Sequence, residues 1–432
     1  MASSETGIAN EAPIELQFID NPTWHTEQPR QEFSLPPADR GKAAWLFLMT
    51  CFFVECFIWG FPFSYGILQE YYSTHEPFVS KPSGVAAIGT TALRWPSHRR
   101  YNCFVGVAVV SLSLIASSFS QAVWQLILTQ GVGYAVGAML LYDPILLFLH
   151  EWFVQRKGLA FGVMWAGTGA SGIFIPYFLA WGLDRYGFRT ILRAWGVACF
   201  VFLAPMMLLV KPRIPLTLSS SETTMRRFDW RFVLTPAFII FQIQNIFQGM
   251  GYFIPGIYLP SYAHSLGMSK SATTATIALL NSMGVFGCIS AGLLIDRLHV
   301  ATVQVVFALG SALSVFFLWG FSVSVPLLLV FSAAYGFFAF PYTTMYTGVM
   351  KEVRRQCPGA EFGLLMGLLS AGRGIGSVVS GPLSEALLKR MDAADDATTG
   401  YDSDYVNLII FTGTCVALGG CFGFGAKRIG WL

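Results

Sequence analysis

With 432 residues, 54% of them hydrophobic and 12% charged, the chain falls well below the roughly 25% charged content of a soluble domain. Apolar runs of membrane-spanning length recur almost throughout, which excludes a set of ordinary soluble domains and makes this a polytopic membrane protein. The net charge of +3 is too small to imply a nucleic-acid partner, so the placement of the charges matters more than their sum.

Residues 1–42 are polar and mildly acidic (Glu5, Glu11, Glu15, Asp20) and lack the short apolar core of a cleavable signal. They read as a disordered cytoplasmic tail, with the first apolar helix acting as its own insertion signal. Apolar segments follow at about 43–68, 103–119, 122–149, 158–181, 191–210, 232–260, 271–295, 300–321, 324–349, 361–388 and 406–425. These are eleven full spans. Between the first two lies a stub, "GVAAIGTTAL" (84–93), that runs directly into "RWPSHRR". Ten residues reach about 15 Å as a helix, half of a ~30 Å hydrocarbon core. The polar, basic segment "KPRIPLTLSSSETTMRRFDWR" (211–231) divides the chain into a helical bundle over 43–210 and a six-helix bundle over 232–425, with a tail at 426–432.

The positive-inside rule tests this topology. If the stub stands for a crossing and the N-terminus is cytoplasmic, nineteen of the 27 Lys and Arg residues fall on the cytoplasmic side, seven on the other, and Arg373 inside a span. If the stub does not cross, every later loop changes side and the bias reverses. The downstream sequence is therefore written for twelve crossings, six on each side of the central loop. Two sets of six helices suggest an all-α, two-bundle transporter with a site between the bundles at mid-membrane.

A charge inside a span is expensive and needs a reason. Glu55, midway along the first span, reads either as a proton-titrating carboxylate or as a protonated glutamate bonded to a neighbouring helix. Asp143 precedes Pro144, which interrupts the helix ladder; it reads as a cavity residue or as a local helix-breaking or gate-bracing one. His150 and Glu151, at the end of the same span, suit gate or interface roles. In the seventh span (twelve-span counting), Gln242, Asn245, Gln248 and Tyr252 recur at spacings of three and four, on one helical face. Gly249, Gly251 and Pro255 are expected to loosen that helix, and polar contacts between helices are the alternative reading of the face. Asn281 in the eighth span, and Tyr342 and Tyr346 after Pro341, are further cavity-lining candidates. Arg373, in "LLSAGRGIGSVVSGP", is the one basic residue deep in a span. An anionic solute, or an acidic partner such as Glu55 or Asp143, would account for it.

No phosphate-cradling Walker loop appears, so ATP-driven pumping has no visible engine. "AGTGASG" and "AGRGIGS" lie inside spans and suit close helix packing. No Ser/His/Asp or metal-ligand cluster stands out, and the eight cysteines are scattered through apolar runs. The expectation is no enzyme activity, no cofactor and no metal.

Specific motifs narrow the fold. "GLLIDRLH" (292–299) resembles the loop motif of the major facilitator superfamily, a Gly, a spacer, then Asp-Arg. "EWFVQRKGLAFGVMWAGTGASG" (151–172) followed by "DRYGFRTILRAW" (184–195) is similar to the fungal branch of the monocarboxylate porters in that superfamily. "GFPFSYGILQEYY" (60–72), "LILTQGVGYAVGAMLLYDP" (126–144) and "NIFQGMGYFIPGIYLPSYA" (245–263) carry the same likeness. The resemblance implies alternating access, with Asp296 and Arg297 bracing cytoplasmic helix ends alongside the basic pair Arg156 and Lys157. It implies a small organic solute, such as a carboxylate or other metabolite; coupling to protons would run through Glu55 or Asp143. Partners are then the bilayer, the solute and protons, in a monomer of the plasma membrane or an organelle membrane. The chain departs from the porters of lactate-type acids: Phe63 follows Phe61-Pro62 without their lysine, and Cys288 and Gly284 stand where they carry an arginine and an aspartate. Relatives also carry a complete second span between an Ile-Gly-Thr-like start and a Trp-Pro…Arg-Arg-like loop. Residues 84–104 thus read as the junction of a deletion of about one helix, through a skipped exon or a misassembled gene. The fold expected is eleven full spans with the second truncated, this segment being strained or a short re-entrant helix. The rival reading is a transporter-like protein that senses or scaffolds without moving solute, or the inactive product of a truncated gene.

Overall fold

Every apolar run named above that lies among the described residues forms a helix, because a backbone without water must satisfy its own hydrogen bonds. The computed structural model describes residues 36–63, 68, 99–214, 229–388 and 400–428. The stub and its flanking loop, 84–98, lie outside the described residues, so the expectation of a strained or re-entrant segment there has no structural counterpart. The described elements are α1 (Lys42–Phe63), α2 (Arg99–Ser117), α3 (Val123–Trp152), α4 (157–186), α5 (188–206), α6 (Pro236–Ser265), α7 (Lys270–Ile295), α8 (Val300–Trp319), α9 (Val325–Gln356), α10 (Phe362–Leu388) and α11 (Val406–Arg428). α4 and α5 are one continuous helical stretch, Lys157–Met206, bent at Gly187, whose φ of 72° is a left-handed value that glycine adopts without a Cβ clash. Among the described residues, seven helices, with Lys157–Met206 counted once, are long and apolar enough to cross a membrane; α2 and α11 carry shorter apolar stretches, Tyr101–Ser117 and Val406–Phe422.

Residues 37–432 form one unit built of two bundles. In the first, α1 packs on α4, and α2 packs on α3 and α5; in the second, α6 packs on α10 and α11, α7 on α9, and α8 on α11. The bundles meet along α4 and α7, which are drawn together by glycine. A Cβ on Gly158 would lie 2.5 Å from the Gly292 carbonyl oxygen, and one on Gly162 2.4 Å from that of Cys288. Without side chains there, the backbones approach within dispersion range. Further along the seam, Asn281 Nδ2 donates to the Gly172 carbonyl (3.1 Å).

Helix irregularities fall elsewhere than expected. α6 runs unbroken through Gly249, Gly251 and Pro255. Its glycines serve close packing: a Cβ on Gly249 would sit 2.8 Å from the Arg373 carbonyl oxygen, and one on Gly251 2.9 Å from Cys415 Cβ. α3 likewise continues through Pro144. The departures are π-helical turns at Ile127–Gly133 and Ser314–Trp319, and a 3-10 segment at Phe340–Met345 whose second residue is Pro341.

Candidate functional site

The polar face of α6 meets Arg373 of α10. Two glycines on α10 make the approach possible: a Cβ on Gly372 would meet the Gln242 side chain at 2.1 Å, and one on Gly376 the Ile246 carbonyl at 2.4 Å. Gln242 Nε2 donates to the Leu368 carbonyl (2.8 Å) and Asn245 Nδ2 to that of Leu369 (2.6 Å), which fixes both amides against α10. Arg373 Nη1 donates to Gln248 Oε1. The guanidinium carbon lies 4.5 Å from the Tyr252 ring centroid and 5.9 Å from those of Phe253 and Tyr342, within cation–π range. Tyr346 closes the group, donating to Asn245 Oδ1 (2.8 Å), with its ring edge-on to that of Tyr342 (centroids 6.5 Å apart). Seven sequence candidates (Gln242, Asn245, Gln248, Tyr252, Tyr342, Tyr346, Arg373) therefore form one cluster. Among the described residues Arg373 has no carboxylate partner, neither Glu55 nor Asp143. A half-buried guanidinium held by neutral and aromatic groups keeps its charge available to an anion.

Glu55 sits in the other bundle, fully buried on α1. Thr168 Oγ1 of α4 donates to its Oε1 (2.8 Å), while its Oε2 is buried without a hydrogen-bond partner among the described residues. Trp165, one turn before Thr168, donates its indole N–H to the Tyr142 hydroxyl (2.8 Å). The same indole ring stands edge-on to Tyr346 across the bundle interface, with centroids 6.2 Å apart and planes at 82°.

Two candidates lie apart. Asp143 is exposed on α3: Tyr142 turns inward to Trp165, and the next residue is about 100° around the helix. Asn281 belongs to the α4–α7 seam described above, whose geometry it serves.

At the end of the bundles carrying Asp296, the halves are clasped. Asp296 accepts from the backbone N–H groups of Gly158 (2.7 Å) and Leu159 (2.9 Å), placing a carboxylate on the N-terminus of α4. Arg156 and Arg297 are exposed and Lys157 half-buried beside this clasp. The His150 ring stacks on Phe362, centroids 4.0 Å apart, joining α3 to α10. Glu151 accepts from the backbone N–H of Arg213 (3.2 Å), securing the start of the central loop.

The chain matches the Major Facilitator Superfamily over residues 89–381. The chain belongs to that superfamily. It is 26% identical to the MFS-type transporter pynF of Aspergillus niger over 375 residues, 82% of this chain and 84% of that protein. It is also 26% identical to the agnestins efflux protein AgnL12 of Paecilomyces divaricatus, over 97% of this chain and 96% of that protein. Its fold is similar to that of the proton:xylose symporter XylE bound to 6-bromo-6-deoxy-D-glucose, with a TM-score of 0.59 at 14% identity, covering 90% of this chain and 95% of that one. This facilitator is a multi-pass integral membrane protein that transports a small organic solute, and members of its fold are transporters rather than enzymes.

Sequence reasoning missed several residues that the facilitator fold assembles. Thr168 bonds Glu55, and Trp165, one turn before it, bonds Tyr142, but aromatic and small polar residues are too common in these spans to stand out. Asp39, ahead of α1, falls in the stretch whose composition reads as tail. It takes a left-handed φ of 59° and accepts from the backbone N–H groups of Val154, Gln155 and Arg156 at 2.9–3.2 Å. Burial pushes its carboxyl upward, but these three donors and the Arg156 charge hold it below the ordinary aspartate range. A depressed folded-state value contributes stability above the unfolded-state value and loses it as pH falls through the folded one. Asp39→Ala leaves three N–H groups without their acceptor, a loss of about 1.5–3 kcal/mol for a charged hydrogen-bonding group. Thermal unfolding of the purified protein at pH 7 should shift down by a few degrees, and the gap from the wild type should narrow below about pH 4.

Proposed function

We propose that the protein is a secondary active transporter that moves a small organic anion out of the cell by alternating access, in exchange for protons. Arg373 holds the anion and Glu55 carries the proton. The observation that carries this reading is the half-buried guanidinium of Arg373, which sits inside a span among Gln248, Tyr252 and Tyr342 and has no carboxylate partner among the described residues. The name of AgnL12, an efflux protein, supports export. The proposal places the Asp296 clasp on the cytoplasmic side, as the charge distribution expects, and locates the monomer in the plasma membrane. The motifs at 151–172 and 184–195 support the fungal monocarboxylate-porter branch. Cys288 and Gly284 argue against a lactate-type substrate, since the residues that bind such acids in those porters are absent there.

The decisive experiment is a transport screen in proteoliposomes under an imposed pH gradient, offering aliphatic and aromatic organic acids one at a time. Gradient-dependent movement of at least one acid is expected. No movement of any, with intact protein in the bilayer, would sink the reading. The shortness of the apolar run at 84–93 favours a second reading, a transporter-like sensor or scaffold, which predicts solute binding without flux.

A further inference from the structure

Away from Arg373 and Glu55, the bend that joins α4 to α5 gathers positive charge. By the charge distribution, seven Lys and Arg residues fall outside the cytoplasmic side, and three of them, Arg185, Arg189 and Arg193, sit at this bend. Because basic residues are otherwise kept from that side, their clustering here calls for a reason. Asp184 is the one acidic residue between positions 181 and 200, so the bend stays net positive. All three arginines are exposed, and none has a carboxylate partner among the described residues.

Arg193 is held in place. Its Nε donates to Ser118 Oγ just past the end of α2 (2.9 Å), and that hydroxyl donates in turn to the Ile115 carbonyl (2.6 Å). The Phe119 ring lies against the guanidinium, its centroid 4.5 Å from the guanidinium carbon. The two Nη groups are left to grip a phosphate or carboxylate. Next to them, between α2 and α5, runs an apolar groove of about 280 Å³. Ala108, Leu112 and Ile115 line one wall and Gly196, Val197 and Phe200 the other. The helices nearly touch behind it, since a Cβ on Gly196 would lie 3.0 Å from both Ile115 Cγ1 and the Ser111 carbonyl oxygen. Leu112, Val197 and Phe200 each expose more than half of their surface. Arg189, Arg193 and Val197 recur every fourth residue and Phe200 follows three later, so one face of α5 starts basic and continues apolar. From Ser118 back to Ala108 is ten residues, about 15 Å of helix, the depth of one leaflet of a ~30 Å core.

We propose that this groove binds one anionic phospholipid, its phosphate on Arg193 and one acyl chain laid between α2 and α5. The inference stands apart from the anion-transport reading and does not rest on it. Apolar surface this open within a span is covered by lipid chains, and the arginine at the mouth selects the headgroup. The volume is nearly twice the ~150 Å³ that holds a benzene ring, room for a run of methylenes. The charge decides the lipid class. The ammonium of phosphatidylcholine balances its own phosphate, whereas phosphatidylglycerol keeps a net negative charge for Arg193, with Arg185 and Arg189 adding to the field over the same headgroup layer.

The test uses the purified full-length protein in phosphatidylcholine vesicles. A trace of phosphatidylglycerol carrying a diazirine in its acyl chain is added, or phosphatidylcholine with the same chain, and cross-links are mapped by mass spectrometry. The phosphatidylglycerol probe should label residues 108–115 and 196–200 about fivefold more than the phosphatidylcholine probe, the worth of one arginine at an anionic surface. In Arg193→Ala that preference should fall below about twofold. Arg193→Lys keeps the charge without the planar fork and should lie between, which guards against a folding defect particular to alanine. Val197→Trp leaves Arg193 untouched but fills the groove, and should remove labelling there by both probes. Equal labelling by the two probes in the wild type, an unchanged preference in Arg193→Ala, or undiminished labelling in Val197→Trp would overturn the inference. Suppression of the labelling by excess glycerol phosphate would assign Arg193 to a free anion and overturn it as well.

Discussion

Arg373→Ala is expected to reduce transport of an organic anion on the order of 30-fold or more. Removing one partner of a buried charge pair costs about 2–5 kcal/mol, roughly 30- to 4000-fold, because the other charge is left desolvated and unpaired. Here the orphaned charge is the solute's own, so the loss appears in flux. Arg373 has no carboxylate partner among the described residues, and its removal strands no opposite protein charge. The hydrogen bond from Nη1 to Gln248 and the contact with Tyr252 are lost, which should lower thermal stability only slightly. Arg373→Lys keeps the charge but not the planar fork that stacks on Tyr252 and reaches Gln248, and should fall between wild type and alanine. The readout is initial uptake rate per folded protein, measured beside the unfolding temperature. A purely structural arginine would give the reverse pattern, with a large drop in stability and normal flux in whatever protein remains folded.

The cluster around Arg373 was legible because its signals survive in one dimension. A lone basic residue in an apolar run, and polar residues spaced by three and four, mark one helix face whatever the neighbours are. The Thr168 bond to Glu55 and the Trp165–Tyr142 bond beside it were not legible. Tyr142, Trp165 and Thr168 come from two other helices, and nothing in their local sequence separates them from the many aromatics that only fill space. The expected loosening of α6 failed for a related reason. Gly249 and Gly251 have two uses, backbone freedom and close approach, and only the packing of α10 and α11 against them decides between the two. Asp143 illustrates the limit from the other side. An acidic residue beside a proline in a span is unusual, yet the turn of the helix that points Tyr142 at Trp165 carries Asp143 outward.

The α4–α7 seam sets how alternating access is held closed, and Gly162→Val should release it. The added Cβ alone would stand 2.4 Å from the Cys288 carbonyl oxygen, and backbone, unlike the end of a flexible side chain, cannot step aside. The helices must separate by about an ångström or more, since packed interiors do not compress. Gly158 lies one turn away, where the same separation pulls its N–H and that of Leu159 from Asp296, now at 2.7 and 2.9 Å. The clasp and the seam therefore fail together. The expected outcome is a protein that stays folded within each bundle but opens at the Asp296 end, because the contacts inside α1–α5 and inside α6–α11 do not pass through Gly162. Cys288 reports the change directly. Its thiol is fully buried against this seam, and in Gly162→Val it should become alkylatable by a maleimide, as read by mass spectrometry of its peptide, while in the wild type it stays protected. Gly256→Ala is the matched control, since a Cβ there meets nothing within 4 Å. That variant should keep Cys288 protected and gain up to about 1 kcal/mol of helix propensity. Equal alkylation of Cys288 in wild type and Gly162→Val would mean that glycine packing does not hold the bundles together, and would leave the Asp296 clasp to close that end alone.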